Sequence, residues 1–291
     1  MKPVAFQVER PASVDEACER LSDGGREAKV LAGGQSLVPL LNFRLARPDV
    51  LVDLNPLAEL RGLQVEAGEL RVGAMTRLAE MERSPLVGDG WQLVAEALPA
   101  VAHAPIRSRG TFGGGQAHAD AAAELCAVSL ALEARFVARR HGAPNREVEA
   151  EDFFRGPYAT ALEPDEVLVE VRLPAPPAGA GWAFEEVARR RGDFALVGVA
   201  ALLGVGPDSE VREARLAYAS MGPRPLRAYR AEAALRGQPA TEASFRAAAE
   251  AAVQELEPGP DLQASREYRV HVAKALTRRA LLRALRRARG G

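Results

Sequence analysis

Two stretches of this chain could do chemistry with the backbone alone. One is Leu31-Ala32-Gly33-Gly34-Gln35-Ser36-Leu37. The other is Ile106-Arg107-Ser108-Arg109-Gly110-Thr111-Phe112-Gly113-Gly114-Gly115. Each reads as a strand or loop, then glycines, then a helix. Glycine has no Cβ, so a ligand can come close to the main chain. A turn of this kind aims a run of N–H groups and the positive end of a helix dipole at one place, which suits an anion. Two such turns before residue 116 predict a clamp on a diphosphate, and hence a dinucleotide.

Either turn alone could be an ordinary tight connection. Their surroundings favour a ligand. Gln35 and Ser36 place an amide and a hydroxyl at a helix start, and Thr111 precedes glycines that leave room for close approach. Asp120 and Glu124 follow at i and i+4, so they are expected on one helix face. Carboxylates there could accept hydrogen bonds from ribose or ribityl hydroxyls, or could simply complement a helix dipole. An N–H bond to phosphate contributes ~1.5–3 kcal/mol, so a handful would hold the ligand tightly without a lysine. The other familiar sites are missing. No lysine follows a glycine cluster, so there is no P-loop, and Gly110 to Gly115 has the wrong spacing for a Rossmann fingerprint. No G-x-S-x-G elbow offers a nucleophile. Of the four histidines, only His103 and His118 lie near the second turn, and His118 with Asp120 is a poor metal site that reads better as a loop-ordering hydrogen bond.

The elements that must position these turns follow from patterning. A chain of 291 residues can bury a sizeable core in two or three domains. Its net charge of −1 gives no basic excess for nucleic acid. Two cysteines, Cys18 and Cys126, sit in apolar runs, read as buried thiols and cannot ligate an iron–sulfur cluster. No leader precedes strand-like Val4-Ala5-Phe6, and no apolar run spans a membrane, so the expectation is a cytoplasmic chain. Ser13 to Glu16 reads as a capping box opening a helix. Strands are expected at 29–32 and 50–54, with a helix at 37–45 between them, which makes a β-α-β-α-β unit. After Asn55-Pro56 come a hairpin over 63–74, helices at 76–83 and 91–100, a helix at 119–132, a hairpin over 135–149 and a strand at 167–173. A Pro/Ala/Gly linker at 174–181 precedes strands at 195–205 and 213–220, then helices at 225–235, 241–256 and 265–289. The last helix pairs an apolar stripe (Val272, Leu276, Ala280, Leu285) with a basic body expected to face solvent.

Several segments resemble one family. They are Ala32-Gly33-Gly34-Gln35-Ser36-Leu37-Val38-Pro39-Leu40 with Asn42-Phe43-Arg44-Leu45, Ile106 to Gly114, and Ala117-His118-Ala119-Asp120. Arg190 to Val197 and Tyr268-Arg269 add weaker matches. The family is the FAD-binding medium subunit of molybdenum hydroxylases, of the aerobic carbon monoxide dehydrogenase and xanthine dehydrogenase type. The resemblance implies an α+β fold. Residues 1–176 would form a two-subdomain FAD-binding domain of the vanillyl-alcohol-oxidase (PCMH) type, divided near 56/57. Residues 177–291 would form a C-terminal domain with a three-stranded antiparallel sheet and helices. Leu31, Ala32, Gly33, Gly34, Gln35, Ser36 and Leu37, with Thr111, Phe112, Gly113, Gly114 and Gly115, would wrap the diphosphate. Val101 and Ala102 would flank the adenine side. Glu124, with Asp120 nearby, would hold flavin-side hydroxyls, and Leu168 would pack at the isoalloxazine.

By the same resemblance, FAD takes electrons from [2Fe–2S] clusters of a small subunit, which are fed by a molybdenum cofactor on a large subunit, in a dimer of heterotrimers. It passes them to an external acceptor. No ligand for those other groups lies in this chain, so no catalytic side chain is named. Three departures stand out: Ser108 where Asn is common, Gly115 where Ser or Asn is common, and Glu185-Glu186 where a lysine near the flavin is frequent. A stand-alone FAD-dependent oxidoreductase, or a scaffold that has lost FAD, are the other readings. Gly114→Val is expected to abolish flavin retention while the fold persists, checked by flavin absorbance per protein.

Overall fold

The first glycine turn stands at the carboxyl edge of a small parallel sheet. The computed structural model describes residues 2–290; Met1 and Gly291 lie outside the described residues. The sheet is built from β1 (Gln7–Glu9), α1 (Val14–Leu21), β2 (Ala28–Leu31), α2 (Leu37–Asn42) and β3 (Val50–Asp53), with strand order β1-β3-β2. Both pairings are parallel. Pairing with β3 begins at Gln7, so the first strand lies one step beyond the expected Val4-Ala5-Phe6. Ser13 caps α1 by accepting the Glu16 N–H, while Glu16 turns back to accept the Ala12 N–H. Val14, Ala17 and Cys18 then bury against Val50, Val52 and Leu54.

The next region contains β4 (Leu63–Glu66), β5 (Glu69–Gly73), α3 (Leu78–Glu82), α4 (Pro85–Gly90), α5 (Gln92–Ala97), α6 (Ala104–Arg107), α7 (Phe112–His118) and α8 (Glu124–Ala131). It continues through β6 (Arg135–Arg140), β7 (Arg146–Glu149), α9 (Ala150–Phe153), β8 (Phe154–Gly156), β9 (Ala159–Thr160) and β10 (Glu166–Pro174). Five of these strands form an antiparallel sheet in the order β4-β5-β10-β6-β7. The helix expected over 119–132 begins only at Glu124. Ala119, at φ 51°, ends α7 in the left-handed region, and the Asp120 carboxylate accepts the Ala122 N–H. Asp120 and Glu124 therefore do not share a helix face. Every residue of α8 is buried, as an all-round apolar helix requires.

The C-terminal region comprises β11 (Gly181–Ala188), β12 (Ala195–Val205), β13 (Val211–Ala219), β14 (Leu226–Arg227), α10 (Tyr229–Leu235), α11 (Glu242–Ala252) and α12 (Arg266–Ala288). The three long antiparallel strands match the expectation, and β14 adds a two-residue fourth where helix was expected to start. One sheet face, with Phe184, Ala200 and Leu202, joins the core around α8; the other, with Ala183, Val199 and Ala201, packs on α12. The basic body of α12 faces solvent at Arg266, Arg278 and Arg286, as expected, but one edge of it is drawn into ion pairs. Arg279 and Arg283 pair with Glu185, and Arg283 and Arg287 pair with Glu96 of α5.

Strand β11 and α12 touch backbone to backbone at Gly181, where a Cβ would sit 1.8 Å from the Ala284 carbonyl oxygen. Gly181→Ala should therefore cost ~1–3 kcal/mol by forcing helix and sheet apart, read as a lowered midpoint in a thermal melt. An unchanged midpoint would mean that this contact is not tight in solution.

Candidate functional site

The two glycine turns meet. A Cβ on Gly33 would lie 2.4 Å from the Arg109 carbonyl oxygen and 2.8 Å from the Gly110 Cα. One on Gly114 would lie 3.2 Å from the Ala32 Cβ. Only glycine permits this spacing at Gly33, because the opposing atoms are backbone.

Hydrogen bonding divides the labour between the turns. In the second, the N–H groups are spent internally: Phe112 donates to Thr76 O, Gly113 to Ala74 O, Gly115 to Thr111 O, and Gly114 to Thr111 Oγ1. The glycines lie inside the first turn of α7, and Thr111 is its N-cap. In the first turn, the N–H groups of Gly33, Gly34, Gln35, Ser36 and Leu37 have no partner among the described residues. Gly34 adopts φ +73°, which curls that run into a concave row. A cavity of about 370 Å³ opens in front of it, lined by Leu31 to Gln35, by Val38 and Pro39 of α2, and by Asn55 and Arg109. The cavity lies beyond the carboxyl ends of β2 and β3, where open α/β sheets place ligands.

The sequence reading gave no ligand role to four residues that complete this site, Asn55, Arg61, Arg77 and Arg109. Asn55 follows β3 and donates through Nδ2 to the Ala32 carbonyl. Its Oδ1 accepts from Arg77 at 2.6 Å, and its carbonyl accepts from Arg61 at 2.6 Å. Arg77 also donates to the Arg109 carbonyl, so it straps the two turns together. Arg61, Arg77 and Arg109 form no ion pair with a carboxylate among the described residues. Burial, and then repulsion from Arg61 and Arg109, lower the pKa of Arg77. Three arginines without a counter-ion, beside a row of free N–H donors, fit a doubly charged diphosphate. Asn55-Pro56 reads as a boundary in sequence, which hides its place on the ligand side of the sheet.

The other expected site residues lie along α7 and beyond it. At ~1.5 Å per residue, the seven residues of α7 put Asp120 roughly 10 Å from the Thr111 end, while Glu124 starts α8, which folds back beside α7 with the Gln116 amide donating to the Leu125 carbonyl. Asp120 faces the Tyr158 hydroxyl at 3.5 Å, and His118 packs on the Tyr158 ring. Burial lowers the His118 pKa, so its ring is neutral near pH 7. Val101 and Ala102 form the loop before α6, where both carbonyls accept from Arg107. The C-terminal domain reaches this loop: a Cβ on Gly192 would lie 2.6 Å from the His103 ring. Leu168 is buried in the central core at a β-bulge of β10 and does not line the cavity.

Comparison with known proteins agrees with this geometry. Residues 4–176 match the FAD binding domain in molybdopterin dehydrogenase, and residues 182–284 match the CO dehydrogenase flavoprotein C-terminal domain. The chain is 39% identical to the alpha subunit of the 6-hydroxypseudooxynicotine dehydrogenase complex of Paenarthrobacter nicotinovorans, covering 99% of this chain and 97% of that one. It is 39% identical to the carbon monoxide dehydrogenase medium chain of Hydrogenophaga pseudoflava, covering 97% of each. A solved structure of the Hydrogenophaga pseudoflava carbon monoxide dehydrogenase superposes with a TM-score of 0.95 at 41% identity, covering 99% of both chains. The chain therefore belongs to the FAD-binding medium subunits of the molybdenum hydroxylases. It is a flavoprotein subunit of a multi-subunit oxidoreductase.

Gly114→Val acts differently from the sequence expectation. A Cβ there would sit 2.5 Å from Thr111 Oγ1, so it breaks the cap of α7 and wedges against Ala32, which touches the fold as well as the cofactor site. The variant should lose bound flavin and also about 1 kcal/mol of stability. Flavin absorbance and a thermal melt on one preparation check both parts; an unshifted melt contradicts the capping account.

Proposed function

We propose that this chain holds FAD by its diphosphate in the cavity before Gly33 to Leu37 and relays electrons from the [2Fe–2S] clusters of a small partner subunit to an external acceptor. One observation carries the reading: five consecutive N–H groups without partners at a cavity lined by Arg109 and Asn55, with Arg61 and Arg77 bonded to the Asn55 that lines it and none of the three arginines paired with a carboxylate among the described residues. The flavin supplies the redox chemistry, exchanging electrons singly or in pairs. The chain's residues bind and orient it. The first turn donates to the phosphates, and the second, from Thr111 to Gly115, braces the first from behind. Val101 and Ala102 border the adenine end. Glu124 and Asp120 accept from hydroxyls on the flavin side, and Leu168 backs the ring.

The finer arrangement belongs to the same reading. The molybdenum cofactor resides on a large subunit, and the assembly is a dimer of heterotrimers. The domain division at 176/177, with a further one near 56/57, is supported by the change of sheet at each point. Two buried free thiols suit a reducing, cytoplasmic compartment.

The test begins with the purified full chain. It should be yellow and release FAD on denaturation, and it should co-purify with molybdenum- and iron-binding chains when these are co-expressed. Arg77→Ala should weaken FAD binding ~10–100-fold, the loss of one charged hydrogen-bonding group near phosphate, measured as a Kd by flavin fluorescence. An unaltered Kd would place the diphosphate elsewhere. Turnover of a substrate by the chain alone would favour a stand-alone oxidoreductase.

A further inference from the structure

The seam between α8 and the C-terminal sheet holds two acids that no arginine or lysine pairs with among the described residues. Glu124 opens α8 and is 5% exposed. Glu186 lies on the β11 face that carries Phe184 and meets α8, whereas Glu185 points the other way, to Arg279 and Arg283. The Glu186 Oε2 atom is buried and receives no N–H or O–H donor. The charged group that acts on it is the Glu124 carboxyl, itself buried at the start of α8. Two carboxylates cannot hydrogen bond to each other; a carboxylic acid and a carboxylate can.

We propose that Glu186 is a positioning residue for the cofactor site: it shares a proton with Glu124, and that proton fixes the Glu124 carboxyl while tying the C-terminal domain to the FAD-binding domain. The role toward FAD rests on the reading of Glu124 as a hydroxyl-binding acid; the shared proton does not.

The surrounding charges leave the pair no counter-ion. Arg215 and Arg227, from β13 and β14, pair with Glu133 beyond the far end of α8. Glu96 of α5 is held by Arg283 and Arg287. The Tyr218 hydroxyl of β13 meets Thr277, and Tyr229 is engaged with Glu151 of α9. His118, Asp120 and the buried Cys126 thiol are further ionisable neighbours, and Asp120 adds repulsion to Glu124. Burial raises Glu124 to about 7 and, with the opposing carboxyl, raises Glu186 to about 8. Both exceed the ordinary value of 4.5, so the folded state holds protons that the unfolded chain has released. The pair's contribution to stability is fully present below about pH 4.5 and is lost as pH rises through 7 to 8.

Infrared spectra of the full chain with isotope-labelled glutamate test the shared proton without any variant. A protonated-carboxyl band should be full near ~pH 6, where both carboxyls carry protons, persist near ~pH 7.5, where the pair shares one, and be absent by ~pH 9. Its absence near ~pH 6 overturns the proposal, even if FAD binds normally. Glu186→Gln, which can donate but not ionise, tests the positioning role. In the natural chain the FAD Kd should rise about tenfold between those pH values, and in the variant by less than about twofold. Equal pH profiles for both overturn the positioning role. FAD that binds at no pH overturns that role together with the proposed function, while the infrared band still reports on the pair.

Discussion

The site depends on one close approach, Gly33 against the carbonyl of Arg109. At a Cβ-to-oxygen distance of 2.4 Å, any side chain at Gly33 would drive the turns apart. Because they touch, a short set of bonds can lock them. Arg77 donates to the Arg109 carbonyl on one side and to Asn55 on the other, and Asn55 donates to the Ala32 carbonyl. This clasp points the N–H groups of Gly33 to Leu37 outward, where the fold offers them no acceptor. It also gathers three arginines that repel one another, a repulsion Glu80 and Asp53 offset only in part at Arg77. Unmet donors and unpaired cations are each destabilising alone. Both costs are relieved by the same event, arrival of an anion, so the site is organised around a charge the chain does not itself supply.

Much of this was legible in sequence. The β-α-β-α-β order, the two turns, Ser13 as a cap, and strand 195–205 all follow from local patterning, because each is decided by residues close in the chain. What was missed depends on contacts between distant segments. Strand β11 lies between a Pro/Ala/Gly linker and an arginine run, and it becomes a strand by pairing with β12. The helix break at Ala119 needs a left-handed alanine, which no propensity scale flags. Arg77 and Asn55 look like surface polar residues until the two turns are brought together. The second turn misled most: its glycines suggest open donors, yet four of its N–H groups are already used to anchor it to Ala74, Thr76 and Thr111.

The C-terminal domain packs against the segments proposed for the hydroxyl and adenine ends of the cofactor. Helix α8 is apolar on all sides, so it must be covered on all sides. One side faces the core with Phe136 and Leu173, and another faces Ala200, Leu202 and Ala217 of the C-terminal sheet. Each large apolar side chain so buried is worth ~1.5–3 kcal/mol, so separating the domains would expose a helix that cannot stand in water. The same seam carries the Ser220 N–H to Ala121 O bond, the Gly192 contact with His103, and Glu124 against Glu186. These contacts lie beside the residues assigned to the hydroxyl and adenine ends of the dinucleotide. A disturbance of the C-terminal sheet therefore reaches the cofactor pocket through packed atoms within one or two residues, while the phosphate grip at Gly33, held by its own clasp, is insulated from it. The phosphate grip and the contacts proposed at the hydroxyl and adenine ends are thus set by two separate parts of the fold, and both bear on how tightly the cofactor is held.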